Sequence, residues 1–256
     1  MSRFFVEEEI PAEATTWGIS GADARHIRTV LRMAPGDELT ICDGRHTDIQ
    51  AKILAIDGDV IELTLGERQV NQTESPLDIW LFQGLPKSDK MDAIIQKSVE
   101  LGVSRIFPVA CERSVAKIEP KDVDRKTERW NKIAREAAKQ CGRGQLPLVE
   151  APVSFRAAIR LAGESDLALI PWESERDQSI RRLLTDEEPR LLALQEQGQR
   201  PRVAILIGPE GGFSMAEIDL ALANGLKPVT LGRRILRTET AGPAVLAMLG
   251  YQFEPF

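Results

Sequence analysis

A chain of 256 residues with 43% hydrophobic and 28% charged side chains has the make-up of an ordinary globular protein, long enough for one large domain or two smaller ones. The longest uncharged run near the C-terminus, residues 240–253, is broken by Gly and Pro and falls short of the ~20 apolar residues that span a bilayer, so no membrane partner is expected. Three scattered cysteines (Cys42, Cys111, Cys141), only two histidines (His26, His46) and an N-terminus without signal-peptide architecture exclude a disulfide framework and a histidine-rich metal centre, and fit the cytoplasm.

The net charge of −6 is unevenly spread. Residues 1–72 hold 7 Lys/Arg against 13 Asp/Glu, whereas residues 73–256 hold 26 of each. Inside the second part, residues 113–143 carry 10 Lys/Arg against 5 Asp/Glu. A local patch matters more than a total for contact with phosphates.

Residues 1–72 read as β. Short alternating or apolar runs at 38–42, 48–56 and 60–65 are separated by Pro35-Gly36-Asp37, Asp43-Gly44 and Asp57-Gly58-Asp59, which are turn signals. Residues 22–33 read as one short helix with Ile27, Val30 and Leu31 on one face, giving a small barrel with one helix. The polar stretch 70–76 ends in proline and reads as a linker.

Beyond it the rhythm changes to alternating strand and helix, the pattern of a parallel sheet. A strand at 77–83 leads through Gly84-Leu-Pro-Lys-Ser88 to a helix at 89–101, with Met91, Ile94, Ile95 and Val99 on one face and Gly102 as its stop. A strand at 103–109 follows. The helix expected at 124–140 has a buried stripe of Trp130, Ile133, Ala134, Ala137 and Cys141. Arg125, Arg129, Lys132, Lys139 and Arg143 recur on another face. That face is either solvated or, with Arg113 and Lys117, a phosphate-contacting surface. Residues 167–170 form another strand, with Pro171-Trp172-Glu173 just past its end, and 185–200 read as a surface helix and loop without chemistry.

The C-terminal third carries the most specific wording. The apolar run 203–207 reads as a buried strand, and Gly208-Pro-Glu-Gly-Gly-Phe-Ser214 follows as a tight turn in which backbone can lie against a ligand. Ser214 and Glu217 make a capping box, and Gly225 is a helix stop. A strand at 228–231 runs into Gly232-Arg-Arg-Ile-Leu-Arg-Thr-Glu-Thr240 and a final apolar helix at 241–250. Two successive strand–loop–helix units place two loops at the C-terminal edge of one parallel sheet, where open α/β folds bind ligands. Neither loop is a Walker A or a GxGxxG motif. No GxSxG elbow and no Cys–His pairing in sequence supports covalent catalysis, which leaves a bound cofactor as the carrier of the reactive group.

The two loops together, IGPEGGFS at 207–214 and LGRRILRTETA at 231–241, resemble the cofactor-binding region of the 16S rRNA uridine-N3 methyltransferases, S-adenosylmethionine enzymes of the SPOUT (trefoil-knot) superfamily. Further matches lie at Arg3-Phe4-Phe5-Val6, at His26 with Val30-Leu31-Arg32 and Gly36-Asp37, at 85–92 and 96–103, at Glu112-Arg-Ser114 and at 136–143. Two positions depart: Ser88 stands where the family usually has Gly, and Cys141 where Ser is common.

The resemblance implies a fold of the α/β class: a PUA-like β-barrel at 1–72 that binds RNA, and a trefoil-knot (SPOUT) methyltransferase domain at 73–256. It implies a homodimer that methylates one uridine at N3 in small-subunit (16S) ribosomal RNA, free or in the assembled 30S particle. S-adenosylmethionine is then expected among three loops. The first offers Ile170, Trp172 and Glu173, and the second Ile207, Gly208, Pro209, Glu210, Gly211 and Gly212. The third offers Leu231, Gly232, Ile235, Leu236, Arg237, Thr238 and Ala241. Uridine N3 bears a proton at neutral pH, so its attack on the cofactor's methyl calls for a base or an anion-stabilising cation. Arg237 is the expected stabiliser and Glu239 a candidate base; the alternative is that the two simply pair and brace the loop. Arg3, Arg28, Arg32, Lys87, Lys90, Arg113, Lys117, Arg129 and Arg143 are candidate RNA contacts. Competing readings are a superfamily member acting on another rRNA or tRNA base or on ribose 2′-OH, a non-catalytic RNA-binding assembly factor, and a phosphate-binding metabolic enzyme.

Overall fold

The computed structural model describes residues 2–6 and 8–254. These fall into two compact units, one made of residues up to Glu74 together with Ala138–Leu146, the other of Ser75–Ala137 and Pro147 onward.

The first unit contains strands β1 (Arg3–Phe5), β2 (Thr16–Ser20), β3 (Glu38–Cys42), β4 (Thr47–Asp57) and β5 (Val60–Val70), ordered β1-β3-β4-β5-β2. β1 pairs with β3 in parallel, and the other pairings are antiparallel. Two register shifts between β4 and β5, at Ile49/Ala51 and Ile53/Ala55, give the long hairpin the bends a closing sheet needs. Alternation puts Leu39, Ile41, Ile49, Ile53, Ile61 and Leu63 into the core.

Residues 22–33 depart from the expected single helix. A short helix α1 (Gly21–Arg25) passes into a π turn at His26–Val30, where the Leu31 N–H donates to the His26 carbonyl at 3.0 Å. The extra residue per turn rotates the end of the segment off the buried face. Ile27 is buried, but Val30 is 65% exposed and Leu31 is exposed too.

The stretch 70–76 is not a free linker. β5 runs to Val70, and Asn71 and Ser75 are buried. The Glu74 carboxylate accepts from Arg143 Nε at 2.9 Å and Nη2 at 2.7 Å, and from the backbone N–H of Gly144 and Gln145. The 138–146 segment thereby belongs to this unit although it is far along the chain.

The second unit is built on a seven-stranded sheet with β6 (Asp78–Gly84), β7 (Arg105–Ala110), β8 (Leu148–Val149), β9 (Val153–Ser154), β10 (Leu167–Pro171), β11 (Arg202–Ile207) and β12 (Lys227–Val229). The order is β12-β10-β11-β6-β7-β8, with β9 also on β7, and all pairings are parallel. Its helices are α2 (Lys90–Glu100), α3 (Val123–Cys141, whose residues from Ala138 onward belong to the first unit), α4 (Phe155–Gly163), α5 (Ile180–Glu196), α6 (Met215–Ala223) and α7 (Thr238–Phe253). Both faces are covered, as a parallel sheet requires. Trp80, Phe82, Ala204 and Leu206 pack with Phe155, Ile159 and Ile218 of α4 and α6. Leu81, facing the other way, lies against Gly242 of α7. Because the strands are parallel, Gly84, Pro171, Ile207 and Val229 all end at one edge, and the loops leaving them converge there.

Candidate active site

Three connections at that edge enclose a cavity of about 840 Å³. The loop after β10 supplies Pro171, Trp172, Glu173, Glu175 and Arg176. The turn after β11 supplies residues 207–213, and the segment after β12 supplies residues 230–238 with Ala241.

Each connection is fixed locally. In the turn after β11, the Gly212 N–H donates to the Pro209 carbonyl at 2.9 Å, and Gly212 has φ +66, a left-handed value that favours glycine. Helix α6 then starts on the expected capping box: Ser214 Oγ accepts from the Glu217 N–H, and the Glu217 carboxylate accepts from the Ser214 N–H. Glu217 also accepts from the Glu112 N–H at 2.8 Å, and Ser214 Oγ donates to Glu112 Oε2 at 2.6 Å, joining this turn to the end of β7. In the loop after β10, the Trp172 N–H donates to the Val229 carbonyl, and Glu175 accepts from the N–H groups of Asp177 and Gln178. Those two bonds hold the Glu175 carboxyl below the usual carboxylate range.

Charge at the cavity is ordered around Lys90. Its Nζ lies 3.0 Å from Glu210 Oε1 and 3.2 Å from Glu239 Oε2, which ties α2 to both the turn after β11 and the start of α7. The bonds to Glu210 and Glu239 raise the Lys90 pKa, so it stays cationic. Partial burial works against the Glu210 charge, yet the Lys90 ammonium and backbone N–H groups, Lys87's among them, outweigh it and lower the pKa. Glu239 is likewise held below the usual range, first by its own backbone N–H at the start of α7 and then by Lys90 and the nearby Arg237 charge. A carboxylate held anionic in this way is a weak base. Glu239 pairs with Lys90, and the alternative in which Arg237 and Glu239 pair to brace the loop is not what the structure shows. Arg237 is exposed at the start of α7, and its side chain makes no hydrogen bond or salt bridge to any described residue.

Of the residues expected around a cofactor, all but one line this cavity. The exception is Ile170, whose side chain is fully buried in the core beneath it, because strand alternation turns it toward α4 and α6. Lys90, expected on RNA, stands in the cavity wall instead. Glu175, Arg176, Phe213 and Thr230 also line it and were not anticipated, and Arg233 and Arg234 line it from inside the expected third loop.

The candidate RNA contacts fall into distinct environments. Arg143 is a correction: only 3% of its side chain is exposed, and it is locked on Glu74. It follows the end of α3 rather than continuing its polar face. Arg3 is another, nearly buried in a two-pronged pair with Asp48 at 2.6 Å. Lys139, read on the same polar face, is mostly buried against Asp23 and the Phe4 ring. Arg28 pairs loosely with Asp59, Arg113 donates to the Gly211 carbonyl, and Arg129 pairs with Asp92, all three remaining exposed. The side chains of Arg32, Lys87 and Lys117 are exposed and make no ion pair with any described residue.

A family model described as an RNA methyltransferase domain matches residues 73–250, and one described as an RNA methyltransferase PUA domain matches residues 19–66. The ribosomal RNA small subunit methyltransferase E of Bacillus subtilis (strain 168) is 32% identical, over 99% of this chain and 98% of that protein. This chain belongs to the ribosomal RNA small subunit methyltransferase E family. The Synechocystis member is 34% identical over 98% of this chain and 78% of its own length. The crystal structure of the Neisseria gonorrhoeae member, bound to S-adenosyl methionine, aligns with a TM-score of 0.85 at 30% identity, covering 99% of this chain and 98% of that one. The second unit is thus an α/β domain of the trefoil-knot (SPOUT) class, and the first is PUA-like.

Proposed function

We propose that this chain transfers a methyl group from S-adenosylmethionine to N3 of one uridine in small-subunit (16S) ribosomal RNA. The observation that carries this is the cavity at the sheet edge, since every loop expected to hold the cofactor contributes to its wall. The residues present suit the group. Ile207, Leu231 and Leu236 offer apolar surface for a nucleoside base, glycines at 208, 211 and 212 expose backbone donors and acceptors, and Glu173, Glu210 and Glu239 set carboxylates around the space for a cation. When bound, S-adenosylmethionine supplies an activated, electrophilic methyl.

The chain's own work is to hold both reactants in line, a gain that reaches several kcal/mol, and to stabilise the charge that develops on the uridine ring as N3 gives up its proton to solvent water. Arg237, cationic and uncommitted, takes the second role. Glu239 keeps Lys90 in place and is not the proton acceptor in this reading. Exposed cations such as Arg32, Lys87 and Lys117 meet RNA phosphates. The working form is a homodimer in the cytoplasm; among the described residues no helix is long and apolar enough to cross a membrane.

The test is transfer of radiolabelled methyl from S-adenosylmethionine to small ribosomal subunits lacking the modification, followed by nucleoside analysis. Label in 3-methyluridine is expected. Label in another nucleoside or on a ribose overturns the target atom, and cofactor binding without transfer indicates an RNA-binding assembly factor. Light scattering checks the dimer.

A further inference from the structure

Beneath the cavity lies a polar side chain that its surroundings do not ask for. Gln83 sits near the end of β6 and is fully buried, flanked in the sheet by Ile207 and Pro108 and in the strand by Phe82. Its Nε2 donates to Thr238 Oγ1 at 2.9 Å, and Thr238 Oγ1 donates in turn to the Gly208 carbonyl at 2.6 Å. One relay therefore joins the end of β6, the first residue of α7 and the first residue of the turn after β11. The latter two line the cavity. The next residue, Gly84, shows how close the strand end lies to that turn: a Cβ on it would stand 2.6 Å from the Pro209 nitrogen.

Packing alone does not account for the amide, whose Nε2 also donates to the neighbouring Gly84 carbonyl at 3.0 Å. Its Oε1 is buried and has no hydrogen-bond partner, the circumstance in which a methionine of similar volume would serve the core better. A buried polar group kept at a cost to stability marks a functional constraint rather than a packing one. The Thr238 hydroxyl has one proton to give. By occupying its lone pair with a donor, Gln83 directs that proton to Gly208 and so fixes the orientation of the Gly208–Pro209 peptide at the cavity wall.

We propose that Gln83 is a positioning residue for cofactor binding, acting through Thr238 to set the Gly208 carbonyl and the turn beyond it. The inference rests on S-adenosylmethionine being the ligand of this cavity. It is tested by isothermal titration of S-adenosylmethionine into the full chain and its variants, with a thermal melt of each.

Gln83→Met is expected to weaken binding about five- to tenfold, the scale of one lost hydrogen bond, while its melting temperature stays level or rises. Thr238→Val should weaken binding similarly, and Thr238→Ser, which keeps the hydroxyl, should recover the affinity. In the Thr238→Val background, Gln83→Met should add no further loss, because the path is already cut. Gln83→Asn, too short to reach Thr238, repeats the test should Gln83→Met fail to fold.

A Gln83 variant that melts lower yet binds within twofold of the parent would make Gln83 a packing residue and overturn the inference. Equal losses in both Thr238 backgrounds would do the same. Wild-type chain that does not bind S-adenosylmethionine would instead sink the functional reading itself.

Discussion

Two arginine-rich regions of this chain look alike in sequence and differ in what their charges face. Residues 113–143 hold 10 Lys/Arg, yet Arg125, Arg129, Lys139 and Arg143 each meet a carboxylate, on Asp122, Asp92, Asp23 and Glu74. The shorter loop 231–241 holds Arg233, Arg234 and Arg237, and none of these side chains has a hydrogen bond or salt bridge to a described residue. A cation with a partner is architecture, and one left without a partner is available to a ligand. For Arg129, Lys139 and Arg143 the partner is distant in sequence: Glu74 is 69 positions from Arg143.

The sharpest way to break this contrast is Arg143→Met. It leaves the Glu74 carboxylate buried without its counter-ion, so the change should destabilise by about 3–5 kcal/mol, read as a fall in the urea midpoint. The pH dependence has a definite sign. Burial alone would raise the Glu74 pKa, but Arg143 and the N–H groups of Gln145 and Gly144 outweigh it, and the folded value lies below the ordinary 4.5. The stabilisation is then fully present above that ordinary value and is lost as pH falls through the folded one. Urea midpoints of the parent should drop in that acid window, and those of Arg143→Met should drop less. A destabilisation under ~1 kcal/mol at neutral pH would show that the pair contributes no more than a surface salt bridge.

Arg237→Ala comes next. Removing a cation that stabilises a developing anion should lower turnover about 10²–10³-fold, with cofactor affinity and melting temperature unchanged. Unchanged turnover would remove Arg237 from the mechanism and leave this loop's free cations to RNA alone.

How much of the fold and the site was legible beforehand depends on the range of the interaction. The capping box at Ser214, the positive-φ stops at Gly102 and Gly225, and the loops at the sheet edge are local features, written in neighbouring residues. Ser88, expected to stand where the resemblance implies Gly, has φ +56, and a left-handed backbone is the physical reason glycine would suit that position. Long-range features were not legible. Nothing near Arg143 names Glu74, and nothing near Lys90 names Glu210 and Glu239. The π turn at 26–30 defeats the face expected for Val30 and Leu31, because a 3.6-residue period carries no notice of an inserted residue. Gln83 reads in sequence as one more strand residue, since its role depends on a hydroxyl 155 positions away.

Glu239→Gln separates the two roles open to that carboxylate. Its pKa is lowered, first by its own backbone N–H and then by Lys90 and Arg237. As a brace for Lys90, its replacement should reduce turnover by less than about tenfold, the scale of a weakened ion pair on a partly exposed surface, with the pH–rate profile unmoved. As the general base, its loss would cost about 10²–10⁴-fold and flatten the acid limb of that profile.

The smallest effect expected is the one that returns to the opening contrast. Lys117 is an exposed cation of the 113–143 stretch that has no partner among the described residues. Lys117→Ala should weaken binding of small-subunit RNA a few-fold and lower the slope of log affinity against log salt by about 1, as one released counterion requires. Arg3→Gln, tested on folded protein, should leave that slope unchanged, because its guanidinium is already neutralised by Asp48. If both substitutions lower the slope equally, a carboxylate partner does not withhold a cation from RNA. The distinction between paired and free arginines would then fail as a guide to the binding surface.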